Sequence, residues 1–145
     1  EKYIGINAEK IYQHHGTHPD RCNDCGVDCS SGSLGHGLGI AVGMALADRE
    51  KNVYCLISDG ECAEGSIWES LRFINDSQID NLHVYVNVNG LGAYDAVDRN
   101  TLIKRLQAFL PLINIRESDP LKWEFAEGLL THYYVLKPED YEQFK

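Results

Sequence analysis

Two short apolar runs, Val53 to Ile57 (VYCLI) and Leu82 to Asn87 (LHVYVN), stand about one helix apart, and no other feature constrains the fold as much. The first is bounded by Asn52 and Ser58 and the second is closed by Asn89-Gly90, the pattern of buried parallel strands. Between them SDGECAEGS reads as a turn, and a helix is expected from about Ser66 to Ser77. Its Ile67, Leu71 and Ile74 fall at i, i+4 and i+7, so they share one face. Strand, helix and strand in so short a span make a βαβ unit, whose crossover should be right-handed. Downstream the pattern predicts a helix over Thr101 to Phe109, a strand near Leu112 to Ile115, a short extended segment at Tyr133 to Leu136, and a capped helical turn from Pro138.

Upstream, SLGHGLGIAVGMALADRE (Ser33 to Glu50) is apolar or small nearly all round, which predicts a buried helix. Its glycines lower helix propensity, so they should serve close packing or the approach of a ligand to backbone. Residues 1 to 32 show little periodicity apart from a short helix near Ala8 to His14. They should form ordered loop or lean on another chain. The expected fold is a single α/β domain over residues 1 to 145, an open, mostly parallel sheet with helices on both faces. Its ligand should sit at the carboxyl ends of the strands.

Charge narrows the function. With 13 basic and 22 acidic side chains the formal charge is −9, which argues against a nucleic-acid surface. No apolar run has the length of a membrane span and no targeting segment is visible, so the expected location is the cytoplasm. The five cysteines, Cys22, Cys25, Cys29, Cys55 and Cys62, are expected to be reduced thiols. CNDCGVDC with His14, His15 and His18 nearby suggests zinc, but a zinc ribbon needs a second CxxC pair that the chain lacks. The expectation is therefore no zinc and no disulfide.

The chemistry points to the two strand exits. Asp59-Gly60 follows the first strand and Asn89-Gly90 the second. A carboxylate and a carboxamide converging from neighbouring strand ends are oxygen ligands for a hard cation such as Mg²⁺ or Ca²⁺. Gly60 leaves room for a phosphate, and the next helix aims its N-terminus at the same place. The plainer alternative is that Asp59 caps that helix and Asn89-Gly90 is only a turn.

These residues resemble a family. Ser58-Asp59-Gly60, then residues 61 to 87, then Val88-Asn89 is similar to the Gly-Asp-Gly and Asn-Asn motif of thiamine-diphosphate enzymes. GSLGHGLGIAVGMALADR (Gly32 to Arg49), SDGECAEGSIWES and THPD (Thr17 to Asp20) resemble segments of the transketolase branch, and EGLLTHYYVLKPEDYEQF resembles its closing segment. The resemblance is dense from Thr17 to Asp98 and thin beyond Arg99. It implies that Asp59, the Asn89 side chain and the Leu91 carbonyl hold the metal, and that the Gly60 N–H bonds the diphosphate. Gly32, Ser33, Leu34 and Gly35 would line the cofactor, His18 would reach substrate hydroxyls, and His132 would lie near diphosphate and substrate. Glu64 matches the glutamate that links paired sites across a subunit interface, although an acidic residue in a first helical turn also suits the helix dipole.

The resemblance also implies partners and a reaction. The family's pyrimidine-binding domain has no counterpart in residues 99 to 145, so a separate subunit is expected to supply it, in a homodimer or heterotetramer. The implied reaction is two-carbon ketol transfer between sugar phosphates. A 1-deoxy-D-xylulose-5-phosphate synthase-like subunit and a non-catalytic cofactor-binding protein are the alternatives. Ser58 and Val88 depart from the motif where it has Gly and Asn, outside the two metal-bearing positions.

Overall fold

The computed structural model describes residues 7–30, 32–92, 95–119, 134–135 and 137–142. In chain order these form α1 (Ala8–His15), α2 (His36–Ala47), β1 (Val53–Ser58), a 3₁₀ turn (Glu61–Ala63), α3 (Gly65–Asp76), β2 (Leu82–Val88), α4 (Arg99–Phe109), β3 (Asn114–Glu117) and α5 (Pro138–Glu142). The three strands make an open parallel sheet in the order β1-β2-β3. The βαβ unit read from the sequence is therefore present, and α4 builds a second one.

Two successive crossovers in the same direction place α3 and α4 on the same face of the sheet. The register shows which side chains meet them. Cys55 lies opposite Val84, Ile57 opposite Val86, and Val86 opposite Ile115. Cys55, Ile57 and the alternate β2 residues Leu82, Val84, Val86 and Val88 are buried against Ile67, Leu71 and Ile74 of α3 and Leu102 and Leu106 of α4. Each fully buried Leu, Ile or Val stabilises by roughly 1.5–3 kcal/mol, so this face holds the core. The residues between them face the other way, where Tyr54 and Leu56 remain largely exposed. α4 begins at Asp98, whose carboxylate accepts the Thr101 N–H at 2.7 Å. Those bonds to Thr101 hold the Asp98 carboxyl below the usual carboxylate range.

Three expectations are corrected. α2 is not buried all round: Leu38, Ala41 and Ala45 enter the core, while Ile40, Met44 and Leu46 are each about 40% exposed. Its low-profile residues let one side pack against α3 and β1, and the described elements leave the other side without cover. The third strand lies two residues later than expected, because Ile113 folds back to donate its N–H to the Leu110 carbonyl at 3.0 Å. The cysteines are not all free. Cys22 and Cys25 are joined in a disulfide, with Cα atoms 5.2 Å apart in a tight reverse loop, within the usual span of such a bond. Cys29, Cys55 and Cys62 are free thiols. His132 and the segment expected at Tyr133 to Leu136, apart from Tyr134 and Val135, lie outside the described residues.

Candidate cofactor and metal site

Asp59 leaves β1 at its carboxyl end and is only 3% exposed. Its side chain does not cap the next helical turn but crosses to the neighbouring strand exit. The N–H groups of Asn89 and Gly90 donate to Asp59 Oδ2 at 2.9 and 2.7 Å, and the Gly60 N–H lies 3.2 Å from Oδ1. A buried carboxylate must be compensated; here backbone dipoles contribute, and among the described residues Asp59 makes no salt bridge. The adjacent parallel strands thus bring Asp59 and Asn89 to one point.

The Asn89 loop has its own construction. Asn89 Oδ1 accepts the Leu91 N–H at 2.7 Å, so the turn alternative also holds locally. Gly90 and Gly92 bond to Val97 and Asp95, which makes Leu91 and Ala96 a bridge pair without direct bonds. In such a pair the N–H and C=O face away from the opposite segment. The Leu91 carbonyl is therefore turned to the side on which Asn89 Oδ1 sits. Asp59 and the Asn89 loop meet at one junction through backbone N–H bonds, and the residues there offer oxygen donors of the kind a hard cation takes.

The glycine-rich turn before α2 is tied to this junction. Gly35 has φ +78, and a Cβ there would meet Ser66 Oγ at 2.5 Å and the Glu64 Cβ at 2.8 Å. Its N–H donates to Glu61 Oε1 at 3.2 Å while Ser66 Oγ donates to its carbonyl at 3.1 Å. Glu61 Oε2 accepts the Ser58 N–H at 3.2 Å, so one carboxylate joins the turn to the end of β1. At the turn's start Gly32 has φ +115, and a Cβ there would lie 3.0 Å from the His18 ring. Gly32, Ser33, Leu34 and His18 are all exposed on this edge. Glu64 is half-buried at the N-cap of α3, with no side-chain capping bond.

A cavity of about 420 Å³ opens beside Asp59, lined also by Ala63, Trp68, Val97, Thr101 and Arg105. A larger hollow of about 550 Å³ lies by Leu82, His83 and Asn114 at the other end of the sheet. Ligands of open α/β sheets bind at the carboxyl ends, which favours the smaller one.

With this geometry in place, the comparisons with known proteins decide the family. A family model described as 1-deoxy-D-xylulose-5-phosphate synthase matches residues 16–110. Transketolase of Homo sapiens is 39% identical over 95 residues, covering 62% of this chain and 15% of that protein. Transketolase of Mus musculus is 35% identical over 113 residues, covering 72% of this chain and 18% of the relative. A transketolase family protein of Sinorhizobium fredii is 50% identical over 72 residues, 47% of this chain and 26% of the relative. The chain belongs to the transketolase family. It spans 15% of the length of the first of these relatives.

Within that family the two motif departures have local reasons. Ser58 Oγ accepts the Glu61 N–H at 3.3 Å, a bond that glycine cannot make. Val88 is fully buried in the core, where an asparagine amide would need partners. Two contributors were missed by sequence reasoning. Glu61 stands inside the SDGE stretch but was given no role. Arg99 donates to the Asn89 carbonyl at 2.6 Å and to Asp119 at 3.0 Å, and it packs over Gly90, whose φ is +86. Its signal was available: a cation in the first turn of a helix opposes the dipole and needs another purpose. Among the described residues no helix is long and apolar enough to cross a membrane.

Proposed function

We propose that this chain is the diphosphate- and metal-binding part of a transketolase-like enzyme. It transfers a two-carbon ketol unit between sugar phosphates together with a separate pyrimidine-binding subunit. The observation that carries this reading is the meeting of Asp59 with the Asn89 loop at the exits of adjacent parallel strands. The donor set fits a hard cation: Asp59, the Asn89 side chain and the Leu91 carbonyl would hold Mg²⁺ or Ca²⁺. Thiamine diphosphate, when bound, supplies the carbanion chemistry.

The chain's own residues bind and orient. The Gly60 N–H is available to a diphosphate oxygen once the cation takes up the Asp59 carboxylate. Gly32, Ser33, Leu34 and Gly35 offer a low edge along which the cofactor lies, with Leu34, 43% exposed, as its apolar contact. His18, against Gly32, orients substrate hydroxyls at that edge. His132, outside the described residues, keeps the role the resemblance gives it, near diphosphate and substrate. The exposed apolar side of α2 and the Glu64 end of α3 form the face through which a second copy joins.

Calorimetry of thiamine diphosphate binding in Mg²⁺ tests the site. Asp59→Ala should abolish binding, and an unchanged affinity would overturn the reading. A second reading, a 1-deoxy-D-xylulose-5-phosphate synthase-like subunit, is favoured by the description of the matching family model. Assays with the partner subunit separate the two. Release of CO₂ from pyruvate supports the synthase, and ketol transfer between sugar phosphates supports the transketolase.

A further inference from the structure

The cysteine-rich loop has no part in that site, yet it brings three soft ligands together. α1 ends at His15, and Gly16 (φ +74) turns the chain by donating its N–H to the Tyr12 carbonyl at 2.7 Å. Residues 22 to 27 then reverse direction. Cys22 and Val27 exchange two N–H···O bonds of 3.0 Å, the Cys25 N–H donates to the Cys22 carbonyl at 3.2 Å, and Gly26 takes φ +68. This turn puts both sulfurs on one side, where His15 Nε2 lies 3.3 Å from Cys25 Sγ. The ligand atoms of His15, Cys22 and Cys25 all lie within 4.8 Å of one another, and all three residues are half-buried.

Those positions suit a metal ion. With Zn–S of about 2.3 Å and Zn–N of about 2.05 Å, tetrahedral ligands stand about 3.6 Å apart for N and S and about 3.8 Å for two sulfurs. His15 Nε2 already stands near that spacing from Cys25 Sγ, and reduction of the disulfide lets the two sulfurs part.

We propose that the dithiol form of this loop binds one Zn²⁺ through His15 Nε2, Cys22 Sγ and Cys25 Sγ, with water in the fourth position. The Cys22–Cys25 disulfide is the metal-free form. Two thiols of a dithiol reductant give two electrons and two protons to the disulfide, become a disulfide themselves, and leave Cys22 and Cys25 as thiols. Zn²⁺ then displaces both thiol protons to solvent, with no change in its own oxidation state. The site is chemically distinct from the oxygen donors around Asp59, so neither reading depends on the other. The loop is closed at its base by the Arg21 N–H on Ser30 Oγ at 3.0 Å, two residues before Gly32. Zinc binding therefore fixes the segment that leads into the glycine-rich turn.

The test uses cobalt as a spectroscopic probe. The reduced chain, desalted anaerobically, is titrated with Co²⁺ and then with Zn²⁺. A thiolate-to-cobalt charge-transfer band should saturate at one equivalent and disappear on adding one equivalent of zinc. Cys22→Ser and Cys25→Ser should each weaken binding by about 100-fold, and His15→Ala by at least about tenfold. The oxidised chain, in which Cys29, Cys55 and Cys62 remain free, should show no band. That comparison needs no mutation and stands even if a variant misfolds. A reduced chain without the band, or equal bands in the reduced and oxidised chains, would overturn the proposal.

Discussion

Asp59 has a structural duty in the fold, and the proposed metal site gives it a chemical one that variants can separate from it. Its Oδ2 accepts the N–H groups of both Asn89 and Gly90, and removing that oxygen leaves two half-buried donors unpaired, at about 1–3 kcal/mol each. Asp59→Ala should therefore lower stability by roughly 2 kcal/mol or more, read by urea denaturation. Asp59→Asn keeps one acceptor oxygen without the charge. It should cost less stability, yet still weaken Mg²⁺-dependent cofactor binding by at least about 100-fold, about 2.7 kcal/mol, through loss of the anionic ligand. Equal losses of stability and affinity in both variants would reduce Asp59 to a structural residue. The buried thiols make a second case. Burial first, and then the charge of Glu61 for Cys55 and of Asp59 for Cys62, push these thiols up to about 11 and about 12. In the unfolded chain each ionises at its ordinary value of 9.0, so above that pH the native state binds more protons than the unfolded state. Their contribution is complete below pH 9.0 and is lost as pH rises towards 11 and 12. Thermal melts should fall in that window, and the fall should shrink in Cys55→Ala/Cys62→Ala. Alkylation at pH 8 should reach Cys29 in the folded reduced chain and spare Cys55 and Cys62.

The elements were legible to the extent that each obeyed its own periodicity. β1, β2 and α3 follow patterns closed by local turn residues, and the structure shifts their ends by a residue or less. Asp59 and Asn89 could be read as neighbours because two parallel strands joined by a crossover must present their exits side by side. α2 was misjudged because composition reports how apolar a helix is, not how much of it its own chain covers. Its Ile40, Met44 and Leu46, with Leu34 just before it, leave an apolar side in water. Arg99 had a signal that was not used, a cation in the first turn of a helix. The Cys22–Cys25 bond depends on a local turn that the CxxC spacing permits but does not require. The bond from Glu61 to Gly35 rests on a tertiary approach that no spacing encodes. The uncovered side of α2 predicts self-association. Sedimentation at micromolar concentration should give a dimer burying about 2,000 Å² or more in total. Met44→Glu, which places an unpaired charge in that interface, should weaken it by about 100-fold or more. A wild-type monomer, with and without cofactor, would remove this surface from the interface.

At the scale of the whole molecule, charge sets the terms on which any diphosphate binds. The chain carries a formal charge of −9, and the residue at the centre of the candidate site is a buried carboxylate. A diphosphate brought to it meets like charge inside a medium of low effective dielectric, where repulsion over a few ångströms amounts to several kcal/mol. Backbone N–H groups supply partial positive charge, but those of Asn89 and Gly90 are already committed to Asp59. Arg99 is engaged by the Asp119 carboxylate and the Asn89 backbone carbonyl rather than by the Asp59 carboxylate. On the proposed reading a divalent cation supplies the compensating charge. Thiamine diphosphate affinity should therefore rise with Mg²⁺ concentration and fall at least about 100-fold in EDTA, whereas thiamine without its diphosphate should bind weakly whether or not the metal is present. Calorimetry across a metal series reads this directly, and Ca²⁺ should substitute for Mg²⁺ because all three candidate donors are oxygens. Tight diphosphate binding in EDTA would mean that basic side chains hold the anion, and would move the site away from Asp59 and Asn89.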